Sequence, residues 1–148
     1  MDRSDIKVYL RISPELYTEV TKTGALSYVY GEAAQGNYNE SDNYGKKLNP
    51  DGMYGIKEAS IAVYEGTIKK QLEQGNGKHR GLTLDQAIGA VVGHEGVHAT
   101  DKSEIHKDIK AEMQGRLRDD RETVPNRIEQ QIINESKTLN KPLWWIGS

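Results

Sequence analysis

Cysteine is absent from the 148 residues, so no disulfide staples this chain and no thiolate can hold a metal in it. That absence suits a reducing cytoplasm and equally a protein that must unfold to cross an envelope. There is also no apolar run of 18 residues and no N-terminal basic-then-apolar segment, so neither a membrane span nor a signal peptide of its own is expected. Charge of one sign is missing too. Lys and Arg number 20 against 22 Asp and Glu, mixed along the chain, which leaves no basic field for nucleic acid or an anionic membrane. With 35% hydrophobic residues the chain is polar, yet long enough to bury a core as one domain over residues 1–148. No linker, internal repeat or long low-complexity stretch divides it.

The aromatic residues are segregated: all eight Tyr lie between Tyr9 and Tyr64, and both Trp close the chain as Trp144 and Trp145. Lys7–Ile12 alternates with period two and reads as a strand, as does Ala59–Tyr64. Between them Gly31–Gly55 is rich in Gly, Asn, Tyr and Asp and reads as loops and turns. Thr67–Gln74 reads as a helix stopped by Gly75-Asn76-Gly77. After Asp101 the chain is charged and helical, with one segment from Ser103 to about Asp120 and another opened by Pro125 and running to about Lys137. Strands first and helices after predict an α+β fold with a small sheet in the N-terminal half.

The chemistry is concentrated in His94-Glu95-Gly96-Val97-His98, an HExxH pattern. Thr83-Leu84-Asp85-Gln86 upstream reads as a capping box, which puts the motif on a helix. At roughly 100° per residue the two histidines fall within about 40° of each other, so both Nε2 atoms can meet one cation. Leu84, Ala87, Ile88, Val91 and Val92 form an apolar stripe that Glu95, His98 and His94 continue, so the motif faces inward. Gly89, Gly93 and Gly96 make a small-residue stripe where another backbone is expected to pack close. A zinc ion on the two imidazoles would lower the pKa of its water to about 7, and Glu95 beside them could take that proton and pass it to a leaving amine. Asp101, one turn after His98, either accepts a ring N–H from a ligand histidine or caps the helix end.

A catalytic zinc takes three protein ligands and keeps one position for water. The extension that supplies a later histidine fails here, since its positions hold Asp101 and Glu104; His106 is two residues late and reads as a surface residue. The alternative is a glutamate from a later helix. Glu129 and Glu112 both stand among apolar positions, but Glu112 follows His98 by only fourteen residues, little chain in which to end one helix and return another. Glu129 is therefore favoured over Glu112, with Glu104 a distant third. Tyr64 and Tyr54 are within reach as oxyanion donors, but tyrosines near strands more often pack than catalyse, so neither is assigned.

Gly93–Asp101, Glu104-Ile105 and Pro125-Asn126-Arg127-Ile128-Glu129 together resemble a family of zincin-like metallopeptidase toxins, found at the C-terminal tips of RHS-repeat and other polymorphic secreted proteins. The likeness covers about residues 58–135. It implies a zincin-like fold in which an edge strand, here Ser60–Tyr64, lies above the HExxH helix and binds extended substrate by strand addition. It also implies Glu129 as third zinc ligand, delivery into a target cell by a larger carrier, and a cognate immunity protein as partner. On this reading the chain is a zinc peptidase acting on protein or peptide. Two other classes stay open: a binding module in which the helix is structural, with or without a stapling metal, and a zinc hydrolase of a non-peptide amide.

Overall fold

A computed structural model describes residues 6–38 and 48–141; Trp144 and Trp145 lie outside these. Among the described residues five strands precede four helices, in keeping with an α+β chain. Strand β1 (Lys7–Ser13) pairs in parallel with β5 (Ile56–Tyr64), and β4 (Gly31–Tyr38) pairs antiparallel with the other side of β5. Leu10, Ile61 and Ala33 therefore sit abreast. Strands β2 (Tyr17–Val20) and β3 (Leu26–Val29) form a separate hairpin. Ala59, Ile61 and Val63 alternate into the core, as a period-two strand requires, and meet Ala87, Ala90 and Val91.

Those last residues belong to α2 (Leu84–Thr100), the motif helix, which packs against β4 and β5 on one side and α4 (Thr123–Leu139) on the other. The capping box forms as read: Thr83 Oγ1 accepts from Gln86 N at 3.2 Å, and Gln86 Oε1 accepts from Thr83 N at 3.0 Å. Helix α1 (Glu65–Glu73) follows β5 directly, and α3 (Lys102–Met113) follows α2 after the single residue Asp101. Among the described residues no helix is long and apolar enough to cross a membrane.

Ser60–Tyr64 lies in the central strand of its sheet rather than at the edge expected for it; the edge beside α2 is β4, in a stretch whose composition reads as loops and turns. Gly31-Glu32-Ala33-Ala34-Gln35-Gly36 lacks the branched and aromatic side chains that mark strands, and only pairing with β5 extends it. The helix after Asp101 ends at Met113 rather than Asp120. Gly115 adopts φ 72°, and the bonds Gly115 N to Glu112 O and Arg116 N to Ala111 O close a Schellman cap there. Of the glycine stripe, Gly93 alone meets a neighbour: a Cβ there would collide with Ile132 of α4, whereas Gly89 and Gly96 face open space. Gly31 is equally demanded, because an added Cβ would lie 2.7 Å from Val91 Cγ1 and 3.1 Å from the Ala62 carbonyl.

The α3–α4 connection is tied down by Arg118, whose guanidinium meets the buried carboxylate of Glu104 and the half-buried one of Asp108. Burial alone would raise the Glu104 carboxyl, but the Arg118 hydrogen bond and charge, helped by Lys107, hold it below its ordinary value.

Gly89→Ala should stabilise by about 1 kcal/mol through helix propensity, while Gly31→Ala should destabilise by about 1–3 kcal/mol through overpacking, both read from thermal midpoints; a gain at Gly31 would refute the close approach. A carboxyl whose folded pKa is depressed contributes stability above its unfolded value and loses it as pH falls. Wild-type stability should therefore drop as pH falls below 4.5, the ordinary value for this carboxyl. Glu104→Gln should start less stable at neutral pH and show a shallower acid limb, measured by thermal melts across pH.

Candidate metal centre

Helix α2 presents His94 and His98 one turn apart, with ring centroids 5.4 Å from each other. Both Nε2 atoms converge on a single oxygen, Oε1 of Glu122, at 2.8 Å from His94 and 3.1 Å from His98. Glu95 Oε2 stands 4.0 Å from His94 Nε2. One ligand atom from each of His94, Glu95 and His98 lies within 4.8 Å of the others, so these three side chains are able to hold a metal ion. They form one wall of a cleft of about 470 Å³, with β4 residues Gly31–Ala34 opposite and Arg121 and Glu122 at the rim. The volume is that of a small-molecule or side-chain site. Gly31 sets its width, since a Cβ there would also stand 3.2 Å from Glu95 Cγ.

On the Nδ1 side of His94 stands Glu129, a residue of α4 only 3% exposed. Its Oε1 accepts from His94 Nδ1 at 2.9 Å and from Lys78 Nζ at 2.8 Å, and its Oε2 pairs with His79 Nε2 at 2.7 Å. Glu129, expected as third ligand, is thus placed behind His94 rather than beside its Nε2, and Glu122 takes the Nε2 side. An ionised carboxylate only accepts, so Glu129 favours a proton on Nδ1 and Glu122 favours one on Nε2; a cation taking the place of the Nε2 proton would find that nitrogen turned toward the cleft and Nδ1 still held by Glu129. The other ring is held less fully: His98 Nδ1 is buried without a hydrogen-bond partner among the described residues.

The electrostatics follow from burial and from three carboxylates gathered round two imidazoles. Burial pushes the Glu95 carboxyl up to about 7, against the pull of His94 and with the repulsion of Glu122 and Glu129. Burial would also raise Glu129, but the hydrogen bonds from His79, His94 and Lys78 reverse it and hold the carboxyl far below its ordinary value. Burial likewise works against the charged form of His94, yet the Glu129 hydrogen bond and the surrounding carboxylates leave its pKa raised. At His98 burial prevails and the pKa is lowered. Burial opposes ionisation of Glu122 as well, but the charge of His98, the bond to it and the charge of His94 lower that carboxyl.

The remaining sequence candidates are elsewhere. Asp101 does not back a histidine: its side chain accepts from Glu104 N at 3.0 Å and caps α3, because one residue separates α2 from α3 and the new helix needs an N-cap. Glu112 is an exposed residue of α3, and Glu104 is committed to Arg118. His106 is half-buried rather than at the surface, accepts from Tyr54 N at 2.9 Å through Nδ1, and stacks on that ring. Tyr64 donates to Glu32 Oε2 at 2.9 Å and stacks on Tyr17.

Sequence reasoning missed Glu122, Lys78 and His79. Glu122 belongs to the charged run Asp119-Asp120-Arg121-Glu122, which looks solvated, and it stands just ahead of the helical pattern at the N-cap of α4. One signal was available: it precedes Glu129 by seven residues, two helical turns, which puts both carboxylates on one face. His79 lies in a connection without periodicity, yet is only 2% exposed, with its ring edge-on to Tyr30. Compared with known proteins, the chain matches no family model, no curated protein and no solved structure.

Proposed function

We propose that this protein is a zinc-dependent peptidase with a zincin-like site, in which His94, His98 and Glu122 hold the metal and Glu95 is the general base. The observation that carries the reading is the convergence of both Nε2 atoms on Glu122 Oε1 beside Glu95. Two imidazole nitrogens and a carboxylate oxygen are a donor set that zinc accepts. Ligand atoms about 2.0–2.1 Å from a tetrahedral centre stand roughly 3.3 Å apart, and the two nitrogen–oxygen separations of 2.8 and 3.1 Å are both somewhat shorter than that edge, the first by about half an ångström.

When bound, zinc supplies Lewis-acid polarisation of the scissile carbonyl and lowers the pKa of a water beside it. The chain's own groups do the rest. Glu95, on the cleft wall, removes a proton from that water and returns it to the departing amine. Glu129 keeps His94 in the tautomer and orientation that offer Nε2, and thereby acts from behind the ligand. The exposed rim of β4 offers substrate an edge along Gly31–Ala34. The likeness of the motif region to toxin-tip peptidases extends this proposal to an antibacterial effector, delivered by a carrier and silenced by an immunity protein.

A second reading uses the same contacts without a metal. Glu122 bridging two rings and Glu129 joining His94, His79 and Lys78 compensate the buried charges by themselves, as in a purely structural core. Elemental analysis after dialysis separates the two. The peptidase reading expects one zinc per chain, lost in Glu122→Ala and weakened about 10–100-fold in Glu129→Ala, as for a group that orients a ligand; a wild type that takes up no added zinc favours the structural reading. Glu95→Gln should keep its zinc and its melting temperature while peptide hydrolysis falls by about 10²–10⁴, and undiminished turnover in that variant would remove Glu95 from the mechanism.

A further inference from the structure

Residues 114–122 carry Arg121 and Glu122 to the cleft rim without a strand or helix of their own. Connections of this kind are ordinarily among the softest parts of a fold. Glu122 itself is 49% exposed, so little packing holds its side chain against the imidazoles. Its backbone is seated as the N-cap of α4, where the Glu122 carbonyl accepts from Asn126 N at 2.9 Å, and its Oε2 stands 3.5 Å from the partly exposed Arg121; the stretch leading into that cap must be fixed as well, because a ligand set works only when its members are held within about 0.5 Å.

The anchor in that segment is Arg118, four residues before Glu122, whose side chain is only 7% exposed. Its Nη2 donates to Glu104 Oε1 at 2.8 Å and its Nε to Asp108 Oδ1 at 3.0 Å, so one guanidinium spans two carboxylates a turn apart on α3. Asp108 is held in turn, since its Oδ2 accepts from Gln35 Nε2 at 3.1 Å. The same Gln35 nitrogen donates to the His98 carbonyl at 2.8 Å. An unbroken line of hydrogen bonds therefore runs from the connection that carries Glu122, through α3 and β4, to the backbone of the second motif histidine.

We infer that Arg118 is the positioning residue for Glu122, a clamp that sets the third metal ligand against the other two; this rests on the reading of Glu122 as a ligand. Only a planar fork with several fixed donors can bridge Glu104 and Asp108 at once, which a lysine ammonium on a flexible stem does not reproduce. The clamp ties together the three parts that make the site: α2 with His98, β4 with the cleft wall, and the connection with Glu122. It touches neither metal nor substrate, so its effect is transmitted through Glu122.

The test measures zinc affinity of the full chain by competition with a chromophoric chelator, in wild type, Arg118→Lys, Glu122→Ala and the double variant, with hydrogen exchange followed alongside. Arg118→Lys should weaken zinc about 10–100-fold and speed exchange in residues 116–122 while α2 stays protected. In the Glu122→Ala background the same substitution should cost nothing more. An equal loss in both backgrounds would mean that Arg118 acts through general stability, and an unchanged affinity in Arg118→Lys with a loosened connection would mean that Glu122 needs no clamp; either overturns the inference. If Glu122→Ala alone binds zinc as tightly as wild type, the ligand reading fails, and the inference with it. Should Arg118→Lys not fold, the triple Arg118→Met, Glu104→Gln, Asp108→Asn removes the clamp without stranding its two acids and is judged by the same outcomes.

Discussion

A carboxylate buried to 3% exposure is the interaction on which this architecture turns. Taking an ion of that size out of water costs several kcal/mol, roughly, unless paired groups offset it. Glu129 is offset by three donors from two parts of the chain, His94 on α2 and Lys78 and His79 in the connection before it. The carboxylate thus joins the last helix to the motif helix and to the turn that launches it. Because it accepts from Nδ1 of His94, it also decides which nitrogen of that ring looks into the cleft.

The motif helix is further confined by two close approaches, both at glycine. Gly93, just before His94, lets Ile132 of α4 come in from one side; Gly31 lets α2 lie against β4 from the other, next to Val91 and Glu95. A methyl group at Gly31 would press on Val91, the Ala62 carbonyl and Glu95, whereas one at Gly93 would force the end of the Ile132 side chain aside. The helix gives up propensity at Gly93 for that contact. A site pressed between a sheet edge and a helix in this way is pre-organised on its His–Glu–His side, whereas the carboxylate at the rim depends on a connection with no regular structure of its own.

The elements that local chemistry specifies were legible: the capping box at Thr83, the strands around Leu10 and Ile61, and the α+β order of elements. Their signals need only neighbouring residues, whether a side chain capping its own helix or a period-two alternation. Strand β4 was not legible, because its small and polar residues become a strand only through the ladder with β5. The end of α3 at Gly115 turned on a left-handed glycine cap that the charged run beyond it disguised.

The same division runs through the site. The motif His94-Glu95-His98 and its inward face were determined by the sequence alone, since a 3.6-residue repeat decides which side chains share a helix face before any partner is known. Which carboxylate meets which nitrogen was decided by tertiary structure. Glu122 and Glu129 lie 24 and 31 residues beyond His98, and only the antiparallel seating of α4 on α2, with the tether at Arg118, brings one to Nε2 and the other to Nδ1. Contacts made across that much chain depend on how helices pack and where connections are tied, and no local pattern encodes either.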